Sequence, residues 1–174
     1  MKCEDRTFKG LLDYIKKIFL YPEIKYLVIF RKAQIKCKSK NPITRAIWSL
    51  KWLNARKNGY QISLDAKIGK GLCFLHDGVR IVVSAAEIGC NCTMGVNCVI
   101  GYGHKNGYNA PRIGDRVYIG HNSSIVGGIT VGDDVLIAPG AFVNRDVPSG
   151  SIVIGNNEIK PKERASLPYL NIGP

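Results

Sequence analysis

From residue 62 onward the chain returns to a large apolar side chain at every sixth position. Ile62, Ile68 and Phe74 are six apart; so are Val82, Ile88, Met94 and Ile100; so are Ile113, Ile119, Ile125, Val131, Ile137 and Val143. A helix repeats near 3.6 residues and a half-buried strand near 2, so neither asks for this period. Four residues after an anchor the side chain is again small or aliphatic, as at Ala66, Leu72, Ala86, Cys92, Cys98, Val117, Ser123, Val135 and Ala141. Three residues after it stands a turn former: Gly71, Asn91, Asn97, Asn122, Gly128, Asp134, Gly140, Asp146. Gly, Asn and Asp accept left-handed backbone angles at little cost. Each hexad thus predicts a short strand and a corner, with the anchor and its +4 companion pointing inward. Three hexads close a triangular coil, and coils stack at the strand spacing of about 4.8 Å. The prediction is a mainly β chain, a parallel β-helix of a little over four coils that bury their anchors on one another. The stretch "SGSIVIG" at 149–155 adds part of a fifth coil.

Before residue 60 the spacing is helical. "LLDYIKKIFL" sets Leu11, Leu12, Ile15, Ile18 and Phe19 on one face. Pro22 suits the first turn of a second helix through "EIKYLVIFRKAQ". In the third, Asn41 caps, Pro42 fits the first position, Ile43, Ile47, Leu50 and Leu53 keep helical spacing, and Gly59 stops it. Three regions result: a basic α-helical region over 1–60, the β-helix over 61–155 and a C-terminal tail over 156–174.

Charge sharpens that division. Residues 1–60 hold 15 of the 25 Lys and Arg and 4 of the 13 Asp and Glu, a net +11, whereas 61–174 are nearly balanced. The "MKCEDRTFKG" start lacks the apolar core of a secretory signal, and the longest apolar run, "YLVIF", is too short to cross a bilayer. The six cysteines include no C-x-x-C pair, which argues against a zinc ribbon; free thiols in a reducing cytoplasm are expected.

The hexads are interrupted twice. Phe74 to Val82 spans eight residues and carries "LHDGVR" with His76; Ile100 to Ile113 spans thirteen and carries "GYGHKNGYNAPR" with His104. A loop extruded between coils costs little entropy and raises the wall of a cleft, so these breaks are the candidate site.

The [Ile/Val]-Gly hexad, the histidine in an early broken hexad and the extruded glycine-rich loop resemble the hexapeptide-repeat acyltransferases. "DAKIGKGLCFLHDGVRIVV" is the most specific stretch, and the resemblance covers residues 61–162. It is nearest to the serine acetyltransferase branch and its relatives that O-acetylate sugars of surface polysaccharides. The resemblance implies a left-handed coil, acetyl-CoA as co-substrate with no metal, and a homotrimer whose active sites lie between neighbouring chains.

By matching position, His76 is the catalytic histidine. An alcohol near neutral pH is a poor nucleophile until a base takes its proton, and imidazole, titrating near ~6.5, can take it and return it to the leaving thiolate. Backbone N–H groups of the Gly101–Gly103 turn, Gly103 foremost, would stabilise the oxyanion. Cofactor contacts carry over to Gly101, Gly103, His121, Ser123, Pro139, Gly140, Lys160 and Lys162, and substrate contacts to Asp77, His104 and Asn109.

Two departures matter. Fifteen residues before the histidine, where serine acetyltransferases place an orienting aspartate, stands Gln61; its amide oxygen accepts a hydrogen bond but brings no charge. Asp65, Asp77 and a backbone carbonyl are the alternatives. Before "PRI", Asn109 and Ala110 replace the Arg-His pair that holds the amino acid, so no bidentate carboxylate clamp is expected there. The first reading is therefore an O-acetyltransferase acting on a sugar hydroxyl in surface polysaccharide biosynthesis, free or lipid-linked, with serine O-acetylation or a non-catalytic scaffold as alternatives. A trimeric zinc carbonic anhydrase needs three histidines on one metal, two of them five apart; the gaps of 28 and 17 between His76, His104 and His121 do not match. The basic helices are open to two readings, a cap on the solenoid or peripheral contact with anionic membrane; no motif supports nucleic acid.

Overall fold

The computed structural model describes residues 11–75, 80–103, 109–163 and 165–169. Three helices come first, α1 (Leu11–Leu20), α2 (Pro22–Lys36) and α3 (Pro42–Ala55). The strands follow in chain order: β1 (Tyr60–Ile62), β2 (Lys67–Ile68), β3 (Cys73–Phe74), β4 (Ile81–Val83), β5 (Glu87–Ile88), β6 (Thr93–Met94), β7 (Val99–Gly101), β8 (Arg112–Ile113), β9 (Tyr118–Ile119), β10 (Ser124–Val126), β11 (Thr130–Val131), β12 (Leu136–Ile137), β13 (Phe142–Val143), β14 (Ser151–Ile154) and β15 (Glu158–Pro161). Every third strand pairs in parallel, which gives three sheets: β1-β4-β7-β10-β13, β2-β5-β8-β11 and β3-β6-β9-β12-β14. These are the walls of a triangular parallel solenoid. The rule lapses at the end of the chain, where β14 pairs in parallel with β12, two strands back, and β15 turns back antiparallel on β14.

Hexad chemistry explains the stacking. Ile88, Met94, Ile100, Ile119, Ile125, Val131, Ile137 and Val143 are buried, as are the companions Ala66, Ala86, Cys92, Cys98, Val117, Val135 and Ala141. Each large side chain so placed stabilises the fold by about 1.5–3 kcal/mol. Left-handed backbone occurs at Gly71, Asn91, Asn97, Asn122, Asp134 and Gly140, as the corner positions require.

Four details differ from the sequence reading. Val82 points outward, and the inward partner of both Ile62 and Ile100 is Val83. The first interruption is thus nine residues long and is followed by a five-residue interval from Val83 to Ile88. At two later corners, Gly127 rather than Gly128 takes the positive φ, and Asp146 instead accepts the Thr130 N–H at 2.7 Å. Arg116 occupies a corner at φ 54, where its guanidinium grips both carboxylate oxygens of Asp134 at 2.7 and 2.8 Å. Finally, Cys37, Cys90, Cys92 and Cys98 carry free thiols, whereas Cys73 is disulfide-bonded, against the expectation of free thiols throughout.

The helices close the open end of the first coil. Tyr26 and Phe30 of α2 and Trp52 of α3 pack over Tyr60 and Phe74, with Tyr26 and Tyr60 stacked at 4.5 Å. Arg31 and Gln34 fasten α2 to the coil by donating to the Gly69 and Ala66 carbonyls at 2.7 and 2.8 Å. Asn41 caps α3, its Oδ1 accepting from the Ile43 and Thr44 N–H groups, and Gly59 ends the helical region at φ 88. The apolar stripe Ile43, Ile47, Leu50 of α3 faces away from this cap, because Trp52 and Ala55 take the inner face.

The three outer walls differ. The β2-β5-β8-β11 wall is charged, with Lys67 and Arg112 flanking Glu87 at 2.7 and 3.5 Å. The β3-β6-β9-β12-β14 wall is covered by the returning C-terminal segment, where Ala165 and Ser166 are buried and the Tyr169 ring lies 5.1 Å from Tyr118. The β1-β4-β7-β10-β13 wall presents Gln61, Val82, Val99, Ser124 and Phe142 in one cross-strand row, with Val82, Val99 and Phe142 exposed.

Candidate active site

His76, Asp77 and His104 lie outside the described residues; strands β3 and β7 lead toward them in sequence. Strand β3 ends at Phe74, two residues before His76, and register carries Phe74 beside Met94, Ile119 and Ile137 on successive coils. The corners after those strands stack as a column of Val96, His121 and Pro139. The column is hydrogen-bonded: His121 Nδ1 accepts the Val96 N–H at 3.0 Å, and the Gly140 N–H donates to the His121 carbonyl at 2.7 Å. A ring nitrogen that accepts carries no proton, so this hydrogen bond leaves Nε2 as the ring's donor. Gly120 must be glycine here, since a Cβ would lie 2.5 Å from the Pro139 nitrogen. Pro139 and Gly140 are exposed, with open space beside Gly140. Ser123, by contrast, is fully buried and its hydroxyl donates to the Gly120 carbonyl at 2.6 Å. That directs the hydroxyl into the prism.

The mouth of the second interruption lies on the adjoining wall. β7 ends at Gly101, whose carbonyl accepts the Gly127 N–H at 3.1 Å; one coil back, Ser84 donates to the Ile100 carbonyl through both its N–H and its hydroxyl at 2.9 Å. Gly103 lies so close to the next coil that a Cβ would fall 2.6 Å from Gly127 Cα. The loop's exit is anchored too, because Asn109 packs where a Gly128 Cβ would sit. Asn109 and Ala110 line a cavity of about 420 Å³ together with Ala85, Glu87, Arg112 and Thr130. Arg112, the arginine of "PRI", and Thr130 were not singled out from the sequence; they come from separate coils that stacking brings together. The Glu87 carboxyl beside them is held below the ordinary carboxylate range by its hydrogen bond and charge contact with Lys67, with Arg112 adding to this.

The remaining candidates are dispersed. Gln61 is exposed on the outer face of β1, with Val82 as its neighbour on β4. Asp65 pairs with Lys38 at 3.6 Å in the corner leading to β2. Lys160 pairs with Glu158 at 2.8 Å on β15, and Lys162 follows, exposed. Asn157 exchanges hydrogen bonds with Asn144 at 2.9 and 3.0 Å and closes the far end of the solenoid. Among the described residues no three His, Cys, Asp or Glu gather as a metal site.

A bacterial transferase hexapeptide (six repeats) model matches residues 110–145. A serine acetyltransferase of Helicobacter pylori (strain ATCC 700392 / 26695) is 36% identical over 143 residues, covering 80% of this chain and 81% of that one. The chain belongs to the hexapeptide-repeat transferase family: it is an acyltransferase on a left-handed parallel β-helix. Within the family it stands beside the serine acetyltransferases. A soybean serine acetyltransferase complexed with serine superposes with a TM-score of 0.70 at 28% identity, over 85% of this chain and 60% of that one. A Brucella abortus serine acetyltransferase in complex with coenzyme A gives a TM-score of 0.72 at 23% identity, over 92% and 63%, a likeness of fold. The chain therefore spans about three fifths of the length of these solved relatives. Among the described residues no helix is long and apolar enough to cross a membrane.

Proposed function

We propose that the chain is a serine O-acetyltransferase, moving the acetyl group of acetyl-CoA to the hydroxyl of L-serine. The observation that carries this is the 36% identity to the Helicobacter pylori serine acetyltransferase over four fifths of both chains. In this reading His76 takes the serine hydroxyl proton as the oxygen attacks the thioester carbonyl, and returns it to the departing thiolate. N–H groups of the Gly101–Gly103 turn hold the oxyanion, and the His121–Pro139–Gly140 column borders the pantetheine path. Lys160 and Lys162 meet the phosphates, and Gln61 orients the histidine. The sugar acceptor expected from the sequence becomes the second reading. It retains one specific support, the Asn109-Ala110 pair where a carboxylate clamp stands in serine acetyltransferases. Arg112 lines the same cavity, with its guanidinium 3.5 Å from the Glu87 carboxylate.

The outward row of Val82, Val99 and Phe142 supports a homotrimer assembled through that wall, with the site completed between copies. The test is thiol release from acetyl-CoA with L-serine, nucleotide sugars and simple glycosides as acceptors. Serine-dependent release is expected; release with a sugar and none with serine moves the acceptor to the second reading.

A further inference from the structure

The apolar stripes of the helical region are not spent on the cap. Leu12 and Phe19 of α1 are 84% and 83% exposed, and Ile43 and Leu50 of α3 are 69% and 68% exposed. Beside the α3 stripe, between α2 and α3, runs a groove of about 580 Å³ lined by Lys25, Lys32, Lys51 and Lys57 around Trp48, with no carboxylate in its lining. Lys51 sits over the Trp48 ring at 4.9 Å. The rim of the groove and the stripe of α3 are contiguous, since Lys51 and Asn54 lie one turn beyond Ile47 and Leu50.

We propose that this surface docks on an anionic phospholipid membrane, with the lysine groove taking lipid phosphates and the stripes of α1 and α3 entering the interfacial layer. Charge complementarity selects this occupant. Over residues 11–60 twelve Lys and Arg face two acids, Asp13 and Glu23, and Glu23 is buried. A second copy of the chain would bring four more lysines against these four, and like charges facing each other are unfavourable. Nucleic acid would match the charge but leave leucine and phenylalanine stripes against a polar, wet interface. A membrane surface satisfies both features, because lysines seek the headgroups and apolar side chains the acyl boundary. The outer row of β1-β4-β7-β10-β13, apolar but without lysine, lacks this combination.

The test is flotation of the full chain with phosphatidylcholine vesicles, with and without phosphatidylglycerol, at low and high salt. Flotation is expected with the anionic vesicles at low salt, and each Lys→Gln change at positions 25, 32, 51 and 57 should lower partition about fivefold. Phe19→Ser combined with Leu50→Ser should remove the fraction that survives high salt, with circular dichroism and thiol release unchanged. No flotation at low salt, or equal partition onto neutral and anionic vesicles, overturns the proposal. So does duplex DNA binding without flotation, and so does a larger assembly in light scattering that those two serines dissolve without any flotation. Thiol release in solution is read separately, so failure here leaves the acetyl-transfer reading standing.

Discussion

Gly103→Ala is the sharpest probe of the second interruption. The new Cβ would lie 2.6 Å from Gly127 Cα and 3.1 Å from Gly127 N. Carbon atoms settle at about 3.5–4.0 Å, so one backbone must retreat by roughly 1 Å. Gly127 is poorly placed to yield, since its N–H is bonded to the Gly101 carbonyl and its φ is 103. The displacement therefore falls on the Gly101–Gly103 turn, where a misplacement of about 1 Å costs on the order of 10²-fold in rate. Gly69→Ala makes the matched control. Its Cβ would meet Gly89 backbone at the same 2.6 Å, but on the corner after β2. Both variants should lose melting temperature in differential scanning fluorimetry. Only Gly103→Ala should lose kcat/KM for thiol release per folded molecule. Full activity in Gly103→Ala, with the melting temperature down as in Gly69→Ala, would show that the turn has no part in the reaction.

Four further outcomes are expected. His76→Ala should lower serine-dependent thiol release about 10²–10⁴-fold with the circular dichroism spectrum intact; an unchanged rate removes His76 from the mechanism. Ile119→Ala deletes three carbons between Met94 and Ile137, in coils whose ladder hydrogen bonds prevent collapse. Urea unfolding should show a loss of about 2–5 kcal/mol, whereas Ile43→Ala at the exposed helix face should cost about 0.5 kcal/mol or less. Val99→Asp should lower the mass seen by light scattering if the wall of β7 joins the copies; an unchanged assembly moves the contact elsewhere. Burial pushes the Cys98 thiol up, more than its hydrogen bonds with Ser123 pull it down. Its thiolate thus stays scarce as pH rises through the ordinary thiol range, and peptide mapping after iodoacetamide should find Cys37 and Cys90 labelled well before Cys98.

The charged wall and the covered wall bear on the proposed site at the corners. Lys67, Glu87 and Arg112 satisfy one another across three coils. The third wall is occupied by the chain's own returning segment. Among the described residues, the His121–Pro139 column, the mouth at Gly103 and the Asn109 cavity are corner features. A hexad interior has no room for a substrate, because each anchor is stacked between neighbours at strand spacing.

The solenoid was legible in the amino-acid order because its determinants are local. An inward residue every six, a companion four later and a left-handed corner between them recur within each hexad, and stacking only repeats the demand. Where identity was ambiguous, the tertiary structure chose. Ile81, Val82 and Val83 are all β-branched, so composition cannot say which points inward; pairing of Val83 with Ile62 and Ile100 decides it. Arg116 accepts a left-handed corner because Asp134, eighteen residues away in sequence, grips its guanidinium. The helical spacing of Ile43, Ile47 and Leu50 identified a helix but not its inner face. That was settled when Tyr26, Phe30 and Trp52 closed over Tyr60 and Phe74, since the open end of a coil offers more apolar contact to large rings than to the stripe left facing outward.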